Sequence, residues 1–247
     1  MQVLQKAIAY PLSILYYLCF GLNLLFFHAV QWVCFYGFGY SAHKKSVDIM
    51  NFFLLRCLNL LGTRISFENP HELHKNQSYI IVANHQGMFD IPPLIWFLRK
   101  VHPKFISKKE LGKGIPGVSF NLRHGGSVLI NRKNPKQALE AITNFAKSLQ
   151  NNHRSAVIFP EGTRSRTHQP KKFQTRGLLT LMEHMSDALI LPVTINHSWK
   201  LMRWGSFPMG IGVHMKFKVH APLAMTQHPH EDLVSKVEKQ IIAGIES

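Results

Sequence analysis

The sequence predicts an α/β domain, a mostly parallel sheet flanked by helices, preceded by a membrane-associated helical segment. Three observations predict it. From residue 63 onward, short β-rich runs alternate with stretches of helical period. The runs YIIVA, SAVIF and ALILPV are apolar at consecutive positions, as strands covered on both faces are. Residues 7–41 contain no Lys, Arg, Asp or Glu and are rich in Leu, Phe, Tyr and Trp. A chain of 247 residues accommodates one such domain and an appendage, and buries a full core without disulfide or metal staples.

The N-terminal run is too long for a signal peptide, and no small-x-small cleavage site follows it. As one helix it measures about 52 Å, against a hydrocarbon core of about 30 Å. A re-entrant pair broken near Gly21–Asn23 or around His28 is one expectation; a single tilted span with an interfacial tail is the other. Lys44 and Lys45 follow the run while only Lys6 precedes it, which places the C-terminal side in the cytoplasm, at the inner membrane. Residues 48–62 read as a further apolar helix ended by Gly62. The expected division is a membrane-associated helical region, 1–62, and an α/β domain, 63–247.

Within that domain, strands are predicted at 64–67, 79–83, 104–107, 127–131, 156–159, 188–195 and 213–219. Helices are predicted at 135–150, 173–185 and 231–245. The first of these has Asn134 as its N-cap and Pro135 at its first position. His228-Pro229-His230 reads as the entry to the last helix, its imidazoles lacking partners at metal-ligand spacing.

Charge narrows the partners. There are 29 Lys+Arg against 13 Asp+Glu, a net charge of +16, and 28 of the 29 basic residues follow residue 42. An anionic membrane surface or a phosphorylated substrate fits. No helix-turn-helix, zinc-finger or RNA-binding aromatic signature is present, so nucleic acid is not an expected partner. The three cysteines, Cys19, Cys34 and Cys57, lie far apart in apolar runs and read as free thiols; no metal site is expected.

In parallel sheets, reactive groups sit just beyond strand C-termini. Beyond YIIVA come Asn84-His85-Gln86-Gly87-Met88-Phe89-Asp90, and beyond SAVIF come Pro160-Glu161-Gly162-Thr163-Arg164-Ser165. A five-residue offset puts two side chains about 140° apart on a continuous helix. His85 and Asp90 therefore meet only if the chain turns between them, which Gly87 permits. Asp90 then fixes one tautomer of a general base. By contrast, His43 and Asp48, at the same offset, follow no strand. No GxSxG elbow and no nearby Cys supplies a nucleophile, which favours direct attack by a substrate hydroxyl on an activated electrophile such as a thioester. Arg132 and Arg164 suit a phosphate on the acceptor, and Lys108 and Lys109 suit donor phosphates or the thioester carbonyl.

The blocks Asn84-His85-x-x-x-x-Asp90 and Phe159-Pro160-Glu161-Gly162-Thr163-Arg164-Ser165 resemble those of the glycerolipid acyltransferase family, over about residues 63–200. Lys108-Lys109-Glu110-Leu111, Val128-Leu129-Ile130-Asn131-Arg132 and Leu191-Pro192-Val193 resemble its remaining segments. The resemblance implies that His85 is the base and Asp90 its orienting partner. It also implies that Lys108, Arg132, Glu161, Gly162, Thr163 and Arg164 bind substrate. The implied reaction moves an acyl group from acyl-CoA or acyl-acyl carrier protein to the hydroxyl of lysophosphatidic acid, with no cofactor and no metal. This chain departs from the family pattern at Asn131, where Asp is usual, and at Phe173-Gln174-Thr175-Arg176-Gly177, where Phe-Lys-x-Gly is usual. Lys171, Lys172 or Arg176 is expected to stand in for that lysine. A transferase for another lysolipid or for glycerol 3-phosphate is the nearest alternative; a non-catalytic basic membrane adaptor is the alternative from a different class.

Overall fold

The computed structural model describes residues 2–227 and 229–246; His228, expected at the entry to the last helix, lies outside the described residues. The first element, α1 (Gln2–Asn59), is a helical hairpin rather than one rod, because Gly39 breaks it with φ 78° and ψ −171°. That backbone region is essentially closed to side-chain-bearing residues. The two arms run antiparallel. Asn23 Nδ2 donates to the Met50 carbonyl at 3.3 Å, the Phe27 and Phe53 rings lie 5.9 Å apart, and the Phe35 ring meets His43 at 5.5 Å. The break expected near Gly21–Asn23 or His28 is therefore at Gly39. Asn23 instead spends its amide on the partner arm, and His28 packs against Phe120.

The first arm has two apolar faces. Ala9, Ser13, Tyr16, Leu24, Phe27 and Gln31 recur at helical spacing and are buried against the protein. Ile14, Leu18, Leu22, Leu25, Trp32 and Tyr36 form a second stripe that is exposed. Contacts tie this arm to the rest of the chain along its length. Ser13 Oγ accepts from the Met209 amide at 2.8 Å, Tyr16 packs on Phe89, and Tyr40 Oη lies 2.8 Å from His102 Nε2.

Eight strands form one sheet: β1 (Arg64–Glu68), β2 (Tyr79–Ala83), β3 (Pro103–Lys108), β4 (Val128–Ile130), β5 (Ser155–Ile158), β6 (Leu189–Asn196), β7 (His214–Val219) and β8 (Leu223–Ala224). The order is β1-β7-β6-β2-β5-β3-β4, with β8 beside β6. The pairs from β6 to β4 are parallel, while β7 and β8 pair antiparallel with β6. β2 and β5 are central and buried at every position, which is why their sequences are apolar throughout. Of two short helices, α2 (Ile91–Phe97) packs against α1 and shares a core with β2 and β5, and α3 (Val118–His124) packs against α1 and β4. Three longer ones, α4 (Pro135–Asn151), α5 (Thr175–His184) and α6 (His230–Ala243), cover one sheet face. Asn134 caps α4 as expected, accepting from the Gln137 amide.

The opposite face packs against the hairpin and α2. Tyr16, Val47, Cys57 and Leu58 share one core with Tyr79, Ile81, Phe105, Val157 and Phe217. Residue 62 lies in the turn at Leu60–Thr63, and the hairpin buries its inner side on the sheet in a core common to both.

Candidate active site

β2 and β5 run side by side in parallel, so the segments leaving their C-terminal ends emerge together. Asn84 ends the β2 side by bridging to β6: its Nδ2 donates to the Ile195 carbonyl at 2.8 Å and its Oδ1 accepts from the Ile195 amide at 2.7 Å. His85 follows, and the chain turns at Gly87 into a single 3₁₀ turn, Met88–Asp90. This turn brings Asp90 back to His85. His85 Nδ1 lies 2.8 Å from Asp90 Oδ2. The same oxygen accepts from the Gln86 and Gly87 amides at 2.8 and 2.9 Å. Asp90 Oδ1 accepts a hydrogen bond from Ser198 Oγ, and the Ser198 amide donates to Gln86 Oε1 at 3.1 Å.

Asp90 is fully buried, yet four donors converge on it, so its charge is compensated without a metal or an arginine. The His85 ring stacks on Phe159 with centroids 4.1 Å apart. Nδ1 is therefore held as the donor, and Nε2 is left for substrate. His85 is mostly enclosed, with 15% of its side chain exposed, and it lines a cavity of about 1020 Å³.

That cavity has two characters. Lys108, Arg132, Gly162, Thr163, Arg164, Lys171 and Arg176 line one part. Leu111, Ile115, Val118 and Leu122 line another, which continues to Phe20, Leu24, Met50 and Leu54 of the hairpin. Gly162 has φ 71°, and a Cβ built on it would meet open space, so the glycine serves backbone conformation at the cavity wall. Arg132 Nη1 donates to the Gly162 carbonyl, tying the segment after β4 to the segment after β5. Burial lowers the Arg132 guanidinium from its usual value, opposed by the nearby Glu110 carboxylate. Lys171 Nζ donates to Thr163 Oγ1 at 2.8 Å and to the Arg164 carbonyl at 3.0 Å.

Glu161, expected to bind substrate, is placed differently from the other candidates. It does not line the cavity, and both carboxylate oxygens are engaged: Oε1 accepts from the His85 amide at 2.7 Å and Oε2 from the Lys171 amide at 2.9 Å. Burial raises its carboxyl, and those two amides pull it back down. Its carboxylate joins the segment after β2 to a second point of the connection between β5 and α5. Of the lysines expected to stand in after Phe173, Lys171 reaches the cavity while Lys172 does not, and Arg176 lines it as well. Lys109 is not among the lining residues. Asn131 holds its own turn, accepting from the Lys133 amide at 3.0 Å. His124 packs on Phe35 and Phe120, and His197 contacts the His214 carbonyl, so neither lines the cavity. Two participants carried no sequence expectation, Ser198 and Phe159. Ser198 stands just past the C-terminus of β6, the same position class that singled out His85. The His43–Asp48 pair does not form; Asp48 bonds Lys44 at 2.5 Å.

A family profile described as Acyltransferase matches residues 64–196. A 1-acyl-sn-glycerol-3-phosphate acyltransferase of Borreliella burgdorferi is 28% identical over 192 residues, covering 76% of this chain and 74% of the relative. The protein of the same name from Saccharomyces cerevisiae is 22% identical over 187 residues, 74% of this chain and 60% of its own. The chain spans about half the length, 52%, of the mammalian relatives it matches. The crystal structure of the 1-acyl-sn-glycerophosphate acyltransferase from Thermotoga maritima shares the fold, with a TM-score of 0.77 at 23% identity. It covers 99% of this chain and 96% of that one.

Proposed function

Because the chain belongs to the acyltransferase family, we propose that it moves a fatty acyl group from an acyl thioester to the free hydroxyl of 1-acyl-sn-glycerol 3-phosphate, giving phosphatidic acid for phospholipid synthesis. The observation that carries this reading is an imidazole with one nitrogen fixed by a buried carboxylate, at the wall of a cavity that is cationic in one part and apolar in another.

In this reading Arg132 and Arg164, with Lys171 beside them, hold the acceptor phosphate. The acyl chains occupy the apolar part, whose far wall is the hairpin. His85 Nε2 takes the proton from the acceptor hydroxyl as its oxygen bonds to the thioester carbonyl carbon. The tetrahedral centre collapses, the carbon–sulfur bond breaks, and the imidazolium returns the proton to the departing thiolate. Asp90 supports the transient positive charge on the ring. The thioester supplies its own leaving group, so no further cofactor enters the scheme. Acyl-CoA and acyl-acyl carrier protein present the same electrophile, and either serves as donor.

The exposed stripe of the first arm supports a seat on a membrane. Between Ser13 and Tyr40 the arm is tied to the domain over about 40 Å, more than a hydrocarbon core. The hairpin thus lies along one leaflet with the domain on its cytoplasmic side, the side favoured by Lys44 and Lys45.

The test is an acceptor panel with one labelled acyl donor. Lysophosphatidic acid is expected to be consumed in preference to glycerol 3-phosphate and to neutral lysolipids. His85→Ala is expected to lower kcat/KM by roughly 10²–10⁴-fold. A preference for a phosphate-free acceptor overturns the roles of Arg132 and Arg164; full activity in His85→Ala overturns the mechanism.

A further inference from the structure

The end of β6 is a knot of contacts behind the catalytic pair. Ile195 is bridged by Asn84, the neighbour of His85, and Ser198 bonds Asp90 and Gln86. Between them stand Asn196 and His197. Asn196 is 4% exposed and does not line the cavity. Strand alternation turns it to the face opposite Ile195, where it meets the segment that follows α6. Its Nδ2 donates to the Gly244 carbonyl at 2.9 Å, and its Oδ1 accepts from the Glu246 amide at 3.0 Å. One side-chain amide thus grips a backbone acceptor and a backbone donor together, which fixes its plane. Glu246 is held in turn by Lys216 Nζ, at 2.8 and 3.0 Å. Gly244 permits the close approach. A Cβ there would fall 2.7 Å from Thr194 Oγ1 and 3.2 Å from Thr194 Cβ.

His197 links the two clamps. Its φ is 67° and its ψ 1°, in the left-handed region. A residue with a side chain stays there only where its surroundings over-determine it. Those surroundings are Asn196 on one side and Ser198 on the other; the His197 ring adds a longer contact, 3.7 Å from Nε2 to Glu246 Oε2. We propose that Asn196, by gripping Gly244–Glu246, holds the His197 turn in the conformation that aims Ser198 at Asp90, and so is a positioning residue for the base. The inference rests on the reading of His85 as that base. When Asn196 lets go, the turn relaxes toward negative φ and Ser198 moves with it. Asp90 then loses its Oδ1 donor and is free to rotate away from His85 Nδ1.

Two measurements test this, each below the thermal midpoint of every variant used. The first needs no turnover. It reads the His85 tautomer by nitrogen NMR of ¹⁵N-histidine-labelled protein at about pH 9, above the usual imidazole value of about 6.5. His85 is assigned by the loss of its signals in His85→Ala. The wild type is expected to carry the proton on Nδ1, and Asn196→Ala and Ser198→Ala to show both tautomers. The second is steady-state kinetics. Asn196→Ala is expected to lower kcat about tenfold, as Ser198→Ala does, with the acceptor KM little changed. The double variant is expected to be no slower than either single one, because both substitutions remove the same contact. Gly244→Ala, which pushes the segment off Thr194, is expected to act like Asn196→Ala and carries the test should that variant fail to fold. An unchanged tautomer overturns the proposal. So does an unchanged kcat, a loss confined to KM, or a double variant in which the two losses multiply. An inactive wild type overturns the proposed reaction instead, and the tautomer comparison then decides the positioning role by itself.

Discussion

Asp90 shows how much of the site is made by a single side chain. Its Oδ2 gathers the His85 ring and two backbone amides, and its Oδ1 is left to Ser198. Ser198 does not line the cavity, so it acts on the reaction only through the carboxylate it holds. Replacing it with Ala removes one donor from a fully buried oxygen and frees Asp90 to rotate away from the imidazole. For Ser198→Ala we expect kcat to fall about tenfold with the acceptor KM little changed, and Ser198→Thr to restore most of the loss. Steady-state kinetics across acceptor concentrations check both; a rise in KM at constant kcat contradicts a positioning role. His85 and Asp90 were legible because strand ends and a glycine between the two residues can be read from letters alone. The task of Glu161 was not. Whether a carboxylate faces a ligand or two amides depends on the direction of the loops around it, which only the folded chain fixes. Ser198 was missed because its link to Asp90 crosses 108 residues.

Among the elements, the hairpin was the hardest to read. Its sequence carries glycines at 21, 37 and 39, and nothing in the letters says which one bends. The structure selects Gly39, where φ is positive, while a Cβ there would touch nothing. The cost of a side chain is thus purely one of backbone. With ψ at −171° the residue lies outside the left-handed helical well that Asn tolerates. Gly39→Ala and Gly39→Asn are expected to destabilise the protein by similar amounts, roughly 1–3 kcal/mol, measured as a drop in thermal midpoint in detergent. A milder effect of Asn contradicts this geometry. Seven of the eight strands were recovered to within a residue or two, the central pair because YIIVA and AVI are apolar on both faces, whereas the two-residue β8 was not expected. α2 escaped because Pro92 and Pro93 look like breakers, although they occupy its first turn, where proline is at home. α3 is too short, at seven residues, to show a period.

For the whole molecule, the excess of positive charge has a consequence for stability. Burial, with Arg154 and Lys44 nearby, lowers the Lys104 ammonium from 10.5 to about 7. In the window between those two values the unfolded chain binds the proton that the folded chain releases, so stability rises with pH. The contribution is complete above the unfolded value and is lost as pH falls through about 7. In neutral detergent without anionic lipid, the wild-type midpoint is therefore expected to climb between pH 7 and pH 9.5 more steeply than that of Lys104→Met. Equal slopes contradict a lowered ammonium. The +16 balance was plain in the composition, but the crowding of Lys104 and Arg154 on the Tyr40 ring beside the bend was not. The cavity wall supplied by Phe20, Leu24, Met50 and Leu54 has a different kind of consequence. A greasy acceptor that enters past these residues never dissolves in water on its way in. For the proposed reaction, turnover then follows how crowded the acceptor is within the sheet of lipids, per unit area, and diluting that sheet with inert amphiphile slows the enzyme even when the amount of acceptor in the tube is unchanged.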